Sequence, residues 1–234
     1  MTIATNPKHN HLLKSLSKDE YDRLSPHLEL ITLDLGHVMY ESGEKLNNVY
    51  FPTTSIISIL NVMENGSSAE IAVVGNEGIL GISLFMGGVT TPSRAVVQSG
   101  GLAYRMKANL LLNEFNLAGP VQRLLLRYTQ ALITQMAQTA ACNRHHTIDQ
   151  QLCRWLLLSL DRLAGNTLCM TQELIANMLG VRREGVTDAA CKLQKKGLIK
   201  YSRGKITVID RPSLELRCCE CYKVVRQEFD RLLT

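Results

Sequence analysis

The sequence predicts an α+β fold: an N-terminal double-stranded β-roll, a long helix, and a C-terminal part in which helices surround a short hairpin. Three observations support this. Residues 29–105 contain short β-branched runs separated by glycine turns. From residue 120, apolar residues recur every three or four positions, which is helical spacing. Residues 170–210 contain two short amphipathic segments about one glycine, followed by a strand, a tight turn and a strand.

Composition excludes several classes of protein. With 234 residues, 45% of them hydrophobic and 20% charged, the chain is long enough for more than one domain and is not of disordered composition. The N-terminus is polar, and the longest apolar runs (56–60 and 155–160) are far shorter than the roughly 20 residues that span a bilayer. We therefore expect a cytoplasmic protein with no membrane partner. Seven cysteines at irregular spacing indicate reduced thiols.

The positive charge is confined to the last third of the chain. Residues 147–234 carry 15 Lys and Arg against 10 Asp and Glu, whereas residues 1–146 carry 11 of each. This asymmetry favours a negatively charged partner, nucleic acid first and an anionic membrane second. A solvated basic face without a partner is the alternative.

The N-terminal half begins with a helix over about 11–28, whose leucines recur at helical spacing. Among the turns that separate the strands, Asn65-Gly66 lies between two apolar runs and predicts a hairpin. Gly119-Pro120 then opens a long helix of roughly 24 residues. Its apolar positions predict a dimer seam; an amphipathic helix packed on its own β domain is the alternative. The seam residues are Val121, Leu125, Tyr128, Leu132, Met136 and Thr139.

A second helix, about 147–163, precedes the most informative segment of the chain. Thr171 can cap a short helix, Ala176 is small where another helix must approach, and Gly180 suits a tight turn between helices. Val186 then supplies the apolar contact of the next helix. These intervals predict a helix-turn-helix. Residues 198–210 add a hairpin with its turn at 202–205, which predicts a wing, and a last helix covers about 212–233.

The exposed face of the second helix of this motif is the candidate DNA reader. Arginine can pair with guanine O6 and N7, and glutamate can accept from cytosine N4. Arg183 and Glu184 are the expected base readers, whereas Thr171, Gln172, Arg203 and Lys205 suit phosphate contacts. Solvated surface charges are the alternative interpretation. The remaining candidates at this face are Arg182, Thr187, Asp188, Cys191, Lys192, Lys195 and Lys196.

A β-roll, a long helix and a winged helix-turn-helix in this order resemble the Crp/Fnr superfamily of bacterial transcription factors. The most specific segment is TQELIANMLGVRREGVTDAACKLQKKGLIKYSRGKITVID (171–210), and residues 127–163 resemble a proteobacterial branch. The resemblance implies a β-roll sensor domain like that of cyclic-nucleotide-binding proteins (1–117), a dimerisation helix and hinge (118–145) and a DNA-binding domain (146–234). It implies a homodimer on a near-palindromic operator in double-stranded DNA, with RNA polymerase and a small-molecule effector as further partners.

The sequence departs from the family pattern at two places, one in the DNA-reading helix and one in the effector region. Asp188 lies near the position of a second family arginine that reads guanine, so we expect an unusual operator. In the effector region, Gly81-Ile82-Ser83 lacks the family glutamate that holds the ribose, and Ser93-Arg94-Ala95 places arginine one residue late. Because a one-residue slip turns a strand side chain to the opposite face, Arg94 should point away, and we do not expect cyclic AMP.

No cofactor, metal site or catalytic residue is predicted. The group Cys142, His145 and His146 and the group Cys218, Cys219 and Cys221 each lack a usual ligand spacing. We find no nucleophile–base pair and no P-loop, so we do not expect an enzyme. The competing hypothesis is a small-molecule sensor or scaffold whose helix-turn-helix serves protein contacts.

Overall fold

The structure, a computed structural model, describes residues 6–233; residues 1–5 of the polar N-terminal segment and Thr234 lie outside the description. The strands are β1 (Glu29–Leu33), β2 (Val38–Tyr40), β3 (Asn48–Pro52), β4 (Ile56–Val62), β5 (Ser68–Val74), β6 (Arg94–Ser99), β7 (Gly101–Lys107), β8 (Thr167–Cys169), β9 (Ile199–Ser202) and β10 (Lys205–Val208). The helices are α1 (His11–Lys14), α2 (Lys18–Leu24), α3 (Ala108–Asn116), α4 (Pro120–His145), α5 (Ile148–Leu160), α6 (Gln172–Leu179), α7 (Arg183–Lys195), α8 (Arg211–Arg217) and α9 (Glu220–Leu233).

The first seven strands form the predicted β-roll from two antiparallel sheets. One sheet has the order β2-β6-β4-β5 and the other β1-β7-β3. The Asn65-Gly66 hairpin is confirmed: β4 pairs with β5, and Gly66 has a φ of +82°, which glycine adopts without a steric penalty. The α+β fold class is therefore confirmed.

The N-terminal helix is interrupted, where the sequence predicted one helix over 11–28. Ser17 stops it, because its hydroxyl accepts from the Glu20 backbone N–H while the Glu20 carboxylate accepts from the Ser17 N–H at 2.9 Å. This reciprocal capping box starts α2 as a separate helix.

Helix α4 has 26 residues and begins at Pro120, as predicted, but its predicted dimer seam is wrong. Val121, Leu125, Tyr128 and Leu132 are at most 3% exposed within one protomer, and Met136 is partly buried in the same core. Their face packs on β5 and α9, so the alternative interpretation, a helix packed on its own β domain, holds for these positions. The fit is close: a Cβ on Gly78 would lie 2.3 Å from the Tyr128 hydroxyl.

The C-terminal part contains one strand that the sequence interpretation missed. Short β8 pairs with β10, so the wing is a three-stranded sheet of order β8-β10-β9. The predicted last helix over 212–233 is two helices, because the backbone at Cys218 is extended and separates α8 from α9. None of the helices that the structure describes is long and apolar enough to cross a bilayer.

The C-terminal part packs against the roll of the same protomer. Arg162 Nε lies 2.8 Å from Glu77 Oε1, with the two side chains 5% and 14% exposed. A polar chain also crosses this contact: the Ser58 hydroxyl lies 2.9 Å from Gln98 Oε1, and the Gln98 amide donates to Ser159 Oγ at 2.8 Å. Two buried polar contacts therefore set the position of α5 on the roll.

Candidate nucleic-acid interface

Helices α6 and α7 form the predicted helix-turn-helix. Thr171 caps α6, its hydroxyl accepting from the Leu174 N–H at 3.3 Å. Gly180 ends α6 with a φ of +66°, in the left-handed region that favours glycine. Ala176 and Val186 are buried on either side of the turn. The packing intervals noted in the sequence therefore correspond to the core of this motif.

The N-terminal turn of α7 is open to solvent. Its N-cap residue, Arg182, makes no side-chain cap, so the first backbone N–H groups of the helix remain available to an anion. Arg183 and Glu184 are exposed in this turn. Glu184, Asp188, Cys191 and Lys195 are exposed along the face opposite the buried Val186, Ala189, Ala190 and Leu193.

The wing and the start of the helix-turn-helix enclose a polar groove. This groove has a volume of about 510 Å³ and is lined by Thr171, Gln172, Glu173, Arg183, Tyr201, Ser202, Arg203 and Gly204. Arg203 and Gly204 form the tip of the hairpin with φ values of +49° and +75°, as a two-residue turn of a twisted hairpin requires. Lys205 is exposed beside them. The structure thus brings phosphate candidates from two segments next to Arg183.

Contacts around the groove fix its walls. The Thr187 hydroxyl lies 2.9 Å from Gln172 Oε1, which joins α7 to the start of α6. The Tyr201 hydroxyl donates to the Met170 carbonyl oxygen at 2.9 Å and holds the wing against α6. Sequence reasoning missed Tyr201, Ser202 and Glu173 as lining residues; an aromatic residue beside the basic turn was the available signal.

Lys192, one of the predicted DNA contacts, forms an ion pair within the protein. Lys192 Nζ lies 3.3 Å from Asp149 Oδ1 at the start of α5. Lys195 is exposed. Lys195 is therefore the better placed of these two lysines for a nearby phosphate.

The roll contains a cavity at the predicted effector region. Its volume is about 320 Å³, and Gly81, Ile82, Ser83 and Ser93 line it. Arg94 and Ala95 do not line it: Arg94 Nε lies 3.1 Å from Glu41 Oε2, and Ala95 is buried within β6. The remaining lining residues are Tyr40, Ile59, Ile79, Met86, Gly88, Thr90, Thr91, Pro92, Leu132 and Met136, so no charged side chain lines the cavity.

The two cysteine and histidine groups that the sequence separates are brought together. Cys142 and His146 at the end of α4 meet Cys219 and Cys221 at the start of α9. Cys218 lies beside this group, whereas His145 is exposed.

Comparisons with known proteins agree with this geometry, which is that of a winged helix-turn-helix. Residues 150–217 match the Crp-like helix-turn-helix domain. A sequence comparison with curated proteins finds no significant match.

Solved structures resemble the chain over most of its length. FixK2 from Bradyrhizobium japonicum superposes with a TM-score of 0.71 at 17% identity, covering 82% of this chain and 98% of that one. TTHB099, a Crp-family regulator from Thermus thermophilus, gives 0.67 at 15% identity over 80% and 95%. CLP from Xanthomonas campestris, described as a c-di-GMP responsive global regulator, gives 0.65 at 15% identity over 83% and 100%.

The chain therefore has the fold of the Crp/Fnr superfamily of transcription regulators, with a Crp-like helix-turn-helix domain at residues 150–217. The resemblance predicted from residues 171–210 is confirmed.

Proposed function

We propose that this protein is a sequence-specific transcription regulator that binds duplex DNA as a homodimer. The observation that carries the proposal is the exposed N-terminal turn of α7 beside the basic tip of the wing, with one polar groove between them. A recognition helix enters the major groove with its N-terminal residues against the base edges, while a wing can lie along the phosphate backbone.

The exposed residues then divide into readers and phosphate contacts. Arg183 pairs with guanine, and Glu184 accepts from the cytosine amino group. Asp188, one turn further along the same exposed face, can accept from a base amino group but cannot donate to guanine. We therefore expect an operator that departs from those of relatives with arginine there. The phosphate contacts are Thr171, Gln172, Lys195, Arg203 and Lys205.

The homodimer requires a different seam from the one predicted from sequence. Leu126 and Ile133 are 49% and 53% exposed, one heptad apart on the face of α4 that points away from the roll. Ala137 and Ala140 continue this stripe at coiled-coil spacing and are also exposed. When two copies of α4 pair in either orientation, Tyr128 and Leu132 cannot contact the partner, because both are fully buried within their own protomer. We assign the seam to Leu126, Ile133, Ala137 and Ala140.

The effector that this roll admits is not a cyclic nucleotide. A bound phosphodiester carries a negative charge, and burying a charge without a partner is costly. The cavity lining offers hydroxyls and apolar surface but no cation, and Arg94 is paired with Glu41. An uncharged small molecule fits this lining.

Selection from a pool of random duplexes tests the proposal. We expect enrichment of a near-palindrome whose half-sites are about one helical turn apart, about 10 base pairs. Arg183→Ala should remove the preference at one position of each half-site at a cost of about 1–3 kcal/mol. Lys195→Ala, its matched control, should weaken binding to every duplex alike and reduce the salt dependence.

Two results would contradict the proposal. If no motif is enriched, the helix-turn-helix serves protein contacts, and the scaffold hypothesis replaces ours. If Arg183→Ala leaves the enriched motif unchanged, the reader has been assigned to the wrong residue.

A further inference from the structure

Four potential metal ligands converge where the long helix meets the last helix. Cys142 and His146 are four residues apart, on one face of the last turn of α4, and Cys219 and Cys221 precede and begin α9. The three thiols are at most 5% exposed, and the His146 side chain is 18% exposed. Segments 77 residues apart in the chain thus supply one compact donor set.

The distances within this cluster suit one metal ion. The Sγ atoms of Cys142 and Cys219 are 3.6 Å apart, and Cys221 Sγ lies 3.6 Å from His146 Nδ1. All four donor atoms lie within 4.8 Å of one another. Bonds of about 2.3 Å to sulfur and about 2.0 Å to nitrogen give a tetrahedron with edges of about 3.5–3.8 Å, which both 3.6 Å separations match. A multi-iron cluster would distribute its thiolates over several metal atoms and hold them further apart.

The second nitrogen of His146 has the partner that a metal ligand needs. Nε2 lies 3.4 Å from a Glu220 carboxylate oxygen, while Nδ1 faces Cys221. A ligating histidine almost always donates its other N–H to such a group, which fixes the tautomer and leaves the ligating nitrogen unprotonated. Gln151 adds support, since its amide donates to the His146 carbonyl oxygen at 2.9 Å.

The surroundings also suit the charge of a loaded site. Three thiolates and a neutral imidazole around a divalent ion carry one net negative charge, which is costly to bury without a partner. Arg154 is 3% exposed and places a buried positive charge beside the last turns of α4, where Thr139 lies three residues before Cys142. Its guanidinium is held by a 3.1 Å hydrogen bond to Thr139 Oγ1.

We propose that Cys142, His146, Cys219 and Cys221 form a tetrahedral Cys₃His site for a single Zn²⁺ ion. All four positions are filled by protein, so the site is structural. The ion joins the C-terminal end of α4 to the start of α9 and thereby holds the DNA-binding domain in place at the hinge. This inference concerns the metal site alone and does not depend on the proposed operator recognition.

Metal analysis of the full-length protein, purified without chelator, is the first test. We expect one Zn²⁺ per chain, and, after replacement by Co²⁺, the visible absorption of a tetrahedral thiolate site. Cys142→Ser and Cys219→Ser should each abolish stoichiometric retention and change the Co²⁺ spectrum. Cys169→Ser and Cys191→Ser are matched controls, because both residues are exposed and outside the cluster, and should retain the ion.

A second variant tests the site without removing a ligand. Glu220→Gln should lower the Zn²⁺ affinity by about 10–100-fold in a chelator competition, the usual effect of losing an outer-shell partner, while the fold is kept. Because Glu220 is largely exposed, misfolding does not confound this variant.

Two outcomes would overturn the proposal. The first is a wild-type chain that binds Zn²⁺ and Co²⁺ no more tightly than Cys142→Ser. The second is a thiol titration of the freshly denatured protein that finds Cys142 and Cys219 joined in a disulfide. Their Sγ atoms are 3.6 Å apart, so a small movement would be enough to form that bond. Failure of duplex selection would leave both metal measurements unaffected, so the two proposals fail independently.

Discussion

Glu70 is a buried acid whose ionisation should make the stability of this protein depend on pH. It lies on β5 and is 8% exposed. Burial raises the pKa of Glu70 from 4.5 to about 7, although a hydrogen bond from Ser58 and the charges of Arg154 and Arg162 act in the opposite direction. Glu70 accepts a hydrogen bond from the Ser58 hydroxyl, and a polar chain continues from Ser58 through Gln98 to Ser159.

The magnitude follows from linkage between protonation and folding. Between pH 4.5 and about 7 the folded chain holds a proton that the unfolded chain has released. The stabilisation is therefore fully present below pH 4.5 and is lost as the pH rises through about 7. A shift of this size corresponds to about 3 kcal/mol of the free energy of unfolding, at about 1.4 kcal/mol per pH unit.

Glu70→Gln isolates this contribution, because glutamine is neutral at every pH and its side-chain oxygen can still accept from Ser58. We expect the variant to gain about 2–3 kcal/mol relative to wild type between pH 5 and pH 8. Urea unfolding, followed by circular dichroism across this range, measures the difference. Glu64→Gln, at an exposed position, is the control and should remain parallel to wild type. A difference between Glu70→Gln and wild type that stays constant from pH 5 to pH 8 would refute the reasoning.

Three further predictions concern packing and assembly. Arg162→Met should lower the free energy of unfolding by about 3–5 kcal/mol, because it leaves the buried Glu77 carboxylate without its partner. Adding Glu77→Gln removes that charge and should recover part of the loss; urea unfolding of the single and the double variant tests both expectations. Gly180→Ala should cost about 1–2 kcal/mol in urea unfolding because φ is +66°, whereas Gly119→Ala should change stability by less. Ile133→Asp should produce monomers in sedimentation without loss of stability; an intact dimer would place the seam elsewhere.

Local chemistry made much of the fold predictable. The hairpin at Gly66, the turn at Gly180 and the wing tip at Gly204 each depend on a glycine with positive φ, and such glycines can be recognised without tertiary information. The interruption at Ser17 was missed although its signal, a serine three residues before a glutamate, is present in the sequence. Strand β8 was missed because three residues carry too little alternation to identify.

The seam on α4 illustrates what periodicity leaves open. The helix carries an inner stripe through Tyr128 and Leu132 and an outer one through Leu126 and Ile133, both at helical spacing. Spacing shows that a face is apolar but not what covers it. The spacing of the inner stripe and the length of the helix predict a dimer seam, whereas in the structure the roll and α9 cover this stripe.

By itself, the sequence determined the helix-turn-helix with its wing and the exposed basic turn at Arg183, because each follows from contacts within a short segment. The strand and turn signals of the β-roll are also local, although its sheets pair strands as distant as β1 and β7. Only the tertiary structure decided which distant segments meet: that Arg94 pairs with Glu41, and that Cys142 and His146 face Cys219 and Cys221. Spacing along the chain carries no information about such pairs. The pairing of β2 with β6 brings Arg94 to Glu41, and the packing of α9 on α4 brings the four cysteine and histidine ligands together.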